Sequence, residues 1–211
     1  MISVIRRTGS LSACLTATLL AGCMALNTPD QSATLWELDT GVSTLDPVPA
    51  EARLGGNLLV SRVRAESRLD TTSMVYREAD FEPRYYARNR WVENPTKQLQ
   101  MILVDALESA GVADNVLAAP TSLASRYRLD TELLALEHDY RTVPPEAVLR
   151  IRLRLLRQEG PEVIASRVLL LREPMPESSA GAGVVATNRA LRQAMDEVRA
   201  LILDAARVTN D

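Results

Sequence analysis

Cys23 and His138 are the residues of this sequence whose side chains invite chemistry first. The thiol of Cys23 follows Leu20-Ala21-Gly22 directly, the spacing of a bacterial lipobox, in which the cysteine is acylated and becomes the first residue of the mature chain. Its upstream flank agrees. Arg6 and Arg7 precede an uncharged run carrying Leu11, Leu15, Leu19 and Leu20, too short for the ~20 apolar residues that cross a bilayer. Residues 1–22 therefore read as a lipoprotein signal peptide and residues 23–33 as a lipidated tether, with Cys23 the lipidation site. Residues 34–208 read as one α/β domain.

His138 is the single histidine, so a serine or cysteine hydrolase triad would have to run through it, and a His-rich zinc site cannot form. It lies in Leu133-Leu134-Ala135-Leu136-Glu137-His138-Asp139, which reads as a strand end with the imidazole at the surface. Cys14 leaves with the signal peptide and Cys23 is acylated, so the mature domain keeps no thiol, disulfide or cysteine metal ligand. No catalytic residue, metal or cofactor is expected, and the chain does not read as an enzyme. The formal charge of −3 becomes about −5 once Arg6 and Arg7 are removed (22 basic residues against 27 acidic), which excludes a general nucleic-acid binder.

Three further patterns bear on recognition. Gly181-x-Gly183-x-x-Ala186 matches a dinucleotide fingerprint as a string, but no strand runs directly into it and none follows, so it reads as a flexible loop. Arg150, Arg152 and Arg154 alternate with Leu149, Ile151, Leu153 and Leu155. Period two puts the three guanidinium groups on one sheet face, either as a ladder for anionic headgroups or an acidic partner, or as cross-strand partners of Asp130 and Glu132. The stretch 85–91 divides by the same period. Tyr85, Ala87, Asn89 and Trp91 share one side, with Trp91 filling the gap between sheet and helix; Tyr86, Arg88 and Arg90 share the other, an aromatic-plus-arginine set suited to binding a partner.

The elements that must hold these residues are legible in outline. Strands are expected near 35–38, 57–65, 73–77 (the hairpin partner of 57–65) and 84–91. Asn94-Pro95 opens a helix whose Leu99, Ile102, Leu103, Ala106, Leu107 and Ala110 recur at three-to-four spacing, and Gly111 closes it. A short strand at 112–119 precedes a meander of three long strands at 127–140, 147–157 and 163–172. A Pro- and Gly-rich loop follows, then a long amphipathic helix from Val184. The fold class is mixed α+β: a single mixed, largely antiparallel sheet packed with two long amphipathic helices.

Met74-Val75-Tyr76-Arg77, the run from Tyr85 to Pro95, Leu107-Glu108-Ser109-Ala110-Gly111 and Ala186-Thr187-Asn188-Arg189-Ala190 together resemble the auxiliary lipoprotein family of ABC-type transporters, the PqiC-like group, over roughly residues 34–205. One departure is Val112, where an aromatic core residue is expected. The resemblance implies a periplasmic lipoprotein that docks or supports lipid transport between inner and outer membranes. Its implied partners are a Mce-domain protein and an ABC permease and ATPase, with the membrane engaged through N-terminal acyl chains; lipid binding and self-association are left open. Met24 is not the aspartate that retains lipoproteins in the inner membrane, so the implied location is the periplasmic face of the outer membrane of a Gram-negative cell. The other role considered is an envelope-assembly lipoprotein that stabilises an outer-membrane complex without a transport role.

Overall fold

The computed structural model describes residues 32–39, 41 and 45–210; Cys23 and the expected signal peptide lie outside the described residues. Within them the fold is organised around one strand, β7 (Tyr127–Asp139). Tyr127, Leu129, Thr131 and Leu133 are buried on one of its faces, while Arg128, Asp130 and Glu132 point the other way. Along one edge it pairs antiparallel over its whole length with β8 (Glu146–Arg157), which pairs in turn with β9 (Glu162–Pro174). Thirteen residues are too many for one short neighbour on the opposite edge. Three strands share it in succession, all parallel: β2 (Leu54–Val60), β3 (Arg64–Ala65) and β4 (Ser73–Ala79). Beyond β2 lies β6 (Ala113–Ala118), and beyond β4 lie β5 (Glu82–Trp91) and then β1 (Thr34–Trp36). The described residues thus form one mixed nine-stranded sheet with two long helices, α1 (Pro95–Ala110) and α2 (Ala180–Asn210), the expected α+β class.

Both helices cover the same face of the sheet. Leu99 of α1, Leu133 of β7, Leu149 of β8 and Leu191 of α2 line one small apolar cavity of about 10 Å³. Leu149, Ile151, Leu153 and Leu155 of β8 are at most 2% exposed on that side, against the α2 stripe Leu191, Ala194, Met195, Val198 and Ile202. Val112, the departure from the expected aromatic, is fully buried there.

Local chemistry explains the helix ends. Gly111 adopts φ 64°, its N–H donates to the Glu108 carbonyl and that of Val112 to the Leu107 carbonyl, which is a Schellman closure. Asn94 holds the N-cap position of α1 through its backbone carbonyl alone; its side chain is turned towards Asp70, which also accepts from Thr96 Oγ1 at 2.8 Å.

Three expectations are corrected. The strand expected over 57–65 is broken after Val60, because β2 leaves the edge of β7 and β3 takes the next stretch of it. The strand at 73–77 is not the hairpin partner of 57–65: β4 runs parallel to β7, and its hairpin partner is β5. Their connection is Asp80-Phe81, with Phe81 at φ 63°, a conformation usually left to Gly, Asn or Asp, so the residue at the strained position does not advertise the turn. Finally, α2 starts at Ala180 and not at Val184. Gly181 and Gly183 lie in its first turn, and the Ala182 N–H donates to Ser179 Oγ at 3.1 Å as an N-cap.

Candidate functional site

β5 was expected to present Tyr86, Arg88 and Arg90 on a binding face. Strict alternation does not survive in it. Between Ser73 and Val75 of β4 the partner on β5 moves from Arg90 to Tyr85, so β5 carries extra residues and bulges. Trp91 is in the core at 3% exposure, as expected, whereas Tyr85 on its supposed packing side is half exposed. Tyr86 is drawn inward, and Arg90 Nη1 donates to Ser73 Oγ at 2.7 Å. Arg88 remains exposed. Glu78 and Glu82 pair with Arg84, and Asp80 with Arg141.

The inward turn of Tyr86 completes a buried polar cluster that sequence reading missed. His138 is only 2% exposed and does not sit at the surface. β4 flanks it on one side and β8 on the other, and α2 passes over it. Its Nδ1 lies 2.9 Å from Tyr86 Oη and its Nε2 3.5 Å from Thr187 Oγ1. Tyr86 Oη is in turn 2.5 Å from Tyr140 Oη, and the Tyr76 ring stacks obliquely on Tyr86 at 4.7 Å. The assignment that serves every donor is a neutral imidazole with Nε2–H towards Thr187 and Nδ1 accepting from Tyr86. Burial depresses the His138 pKa to about 4 and pushes the Tyr86 phenol up.

The two glycines of the fingerprint-like string make this packing achievable. A Cβ on Gly183 would lie less than 3.0 Å from Cε1, Nδ1 and Nε2 of His138; one on Gly181 would lie 3.0 Å from the Trp36 ring. They are close-approach residues in a helix and not a loop, and the signal that could have found them is small residues at spacing two beside a capping serine. Next to the cluster, Arg141 grips the 2% exposed Asp139 with two bonds of 2.7 and 2.8 Å and holds its carboxyl below the usual range.

The sealed histidine has a measurable consequence. Its folded pKa lies below the ordinary value of about 6.5, so below that pH the unfolded chain takes up a proton that the folded chain refuses. The associated stability is present above pH 6.5 and is lost as pH falls towards 4. We expect a drop of about 3 kcal/mol across that window. Urea melts at a series of pH values check it, and His138→Asn should flatten the slope there; an unchanged slope would disprove the assignment.

Elsewhere, a polar groove of about 530 Å³ beside the start of α1 is lined by Arg62, Asp70, Thr96, Lys97 and Gln100. Most of these groups are engaged: Asp70 with Thr96, Lys97 with Glu93, and Gln100 with the carbonyls of Val60 and Ala119. The arginines of β8 take the expected register, with Arg154 opposite Asp130 and Arg152 opposite Glu132, the latter ion-paired at 2.5 Å. Among the described residues no cluster of His, Cys, Asp and Glu could hold a metal ion, and no helix is long and apolar enough to cross a membrane.

The family model described as ABC-type transport auxiliary lipoprotein component matches residues 36–199. The crystal structure of protein XCC0632 from Xanthomonas campestris, of family DUF330, superposes with a TM-score of 0.74 at 24% identity, covering 84% of this chain and 99% of that one. An uncharacterized protein of known structure does so with a TM-score of 0.60 at 18% identity, covering 80% and 97%. Both share the fold. No curated protein matches the sequence.

Proposed function

The chain belongs to the ABC-type transport auxiliary lipoprotein component family, and from that premise we propose that it is the lipid-anchored periplasmic subunit of a Mce-type transporter, docking or supporting lipid movement between the inner and outer membranes. The observation that carries this reading is the family match over 36–199, which takes in nearly the whole sheet and most of α2. The family is a transport auxiliary family and not an enzyme family. The proposal assigns the anchor to acylated Cys23, at the periplasmic face of the outer membrane because Met24 follows it. Buried acyl chains contribute ~0.8 kcal/mol per CH₂, so several chains together suffice for stable attachment.

A docking or supporting role fits the interior better than a carrying role. The cavity between the helices and the sheet, about 10 Å³, holds one water at most and no acyl chain. Of the three residues expected to meet the partner, Arg88 keeps that role in the proposal because it is exposed, whereas the Tyr86 hydroxyl is turned to His138 and Arg90 is partly buried against Ser73.

Two measurements test the reading. Residues 24–211 expressed without the signal peptide should give a soluble, folded domain that does not float with lipid vesicles, whereas the full chain should; flotation of the truncated chain would refute Cys23 as the anchor. Co-purification of the full chain from native membranes should return a Mce-domain protein with a permease and an ATPase. Recovery of an outer-membrane assembly complex in their place would favour a structural role.

A further inference from the structure

The face of the sheet opposite the helices points to a second binding surface: we propose that β7, β8 and β9 dock one acidic, amphipathic helix of a partner protein across Arg150 and Arg154. Among the described residues, α1 and α2 lie on the other side of these strands. The open side is laid out in rows. On β9, Val163, Val168 and Leu170 are 46–53% exposed, and the irregularity between Leu155 and Leu156 in the β8–β9 pairing brings Val163 onto the same face as the other two. On β8 stand Arg150, Arg152 and Arg154, in register with Leu170, Val168 and Ser166. On β7 stand Arg128, Asp130 and Glu132.

Beyond Arg150 this face also carries Glu137, Asp139 and Glu146, which pair with Arg77, Arg141 and Arg172. In the rows from Arg128 to Arg150 the charges do not balance internally. Glu132 pairs with Arg152, and Asp130 with Arg128 and the Ser61 hydroxyl. Among the described residues Arg150 and Arg154 have no carboxylate within ion-pair distance, although the chain as a whole is acidic. Four arginines against two carboxylates make the patch locally cationic, and a row of half-exposed aliphatic side chains runs beside it. Carboxylates alone would leave the aliphatic row wet, and an apolar partner would bury two unpaired guanidinium groups. An acidic and apolar stripe side by side satisfies both.

Geometry selects a helix over a single extended segment. Three neighbouring strands span ~10 Å, the width of one helix with its side chains. Arg150 and Arg154 are four strand residues apart, ~13 Å, and helix positions i and i+8 are ~12 Å apart on one face. An extended segment could match the spacing. Its backbone N–H and C=O groups would find no partners on a sheet face whose own are taken up by the ladder, whereas a helix satisfies them internally.

The inference stands on this face alone and does not depend on the transport reading. The test uses the full chain in its native host, with a photo-crosslinking residue in place of Leu170 and, as control, of the 98% exposed Val143. Light should give a Leu170-specific adduct whose cross-linked peptide, sequenced by mass spectrometry, comes from a helix with acidic residues at i, i+4 and i+8 beside an apolar stripe. Arg150→Glu with Arg154→Glu should cut that adduct at least tenfold while the melting temperature stays within a few degrees. The proposal is overturned by the absence of any adduct, by an adduct to phospholipid, to a second copy or to residues 1–31 of the same chain, or by undiminished yield from the charge-reversed variant.

Discussion

Trp91→Ala should lower the stability of the domain by about 3–5 kcal/mol, the cost of removing a large buried aromatic side chain. Trp91 is 3% exposed at the point where β5 hands the chain to α1, and its backbone N–H donates to the Thr72 carbonyl at 2.8 Å. Its register partner in β1 is Trp36, whose carbonyl accepts from the Val92 N–H at 2.7 Å. The ring therefore closes a corner where the last strand of one hairpin, an edge strand and the first turn of a helix converge. Little can move in to fill the void, because each neighbour is fixed by backbone hydrogen bonds. Urea denaturation of the domain measures the effect, with Trp91→Phe as a milder variant that keeps most of the buried area. A loss below about 1 kcal/mol for the alanine variant would show that the corner collapses around the cavity, and that Trp91 is not the residue holding it.

Gly183→Val should cost about 3 kcal/mol, the upper end of what overpacking a core usually costs. Helix propensity alone would favour the change slightly, since glycine is a poor helix former, so the sign of the result separates the two effects. The clash is with the imidazole of His138, which is buried and hydrogen-bonded to Tyr86 and so cannot swing away cheaply. In a His138→Ala background the same substitution has room, and most of its cost should disappear, an interaction energy of about 2 kcal/mol in the double-mutant cycle. If Gly183→Val melts like the parent, or costs the same with and without the imidazole, the close approach of α2 to β7 is not what the glycine serves.

The bulge in β5 shows how a local rule fails when its assumption does. Reading Tyr86, Arg88 and Arg90 as one face presumes equal residue counts on paired strands, and β5 has more residues than β4 between the two fixed registers. His138 shows the same limit in another form. Whether a strand end is exposed depends on what lies beside and above it; here those are Tyr76 of β4, Ala147 of β8 and the first turns of α2, more than 40 residues further along the chain.

What the amino-acid order determined by itself is whatever depends on neighbours close in sequence. The period of α1 with its Gly111 closure and the long strands of the meander are of this kind. Only the tertiary structure decided that β2, β3 and β4 share one edge of β7, that both helices leave the Arg150–Arg154 face uncovered among the described residues, and that Tyr86 turns inward to His138. These are pairings between distant segments. Many alternatives satisfy the same hydrophobic pattern, and the choice among them is made by which buried polar groups find partners and which side chains are small enough to let two elements touch.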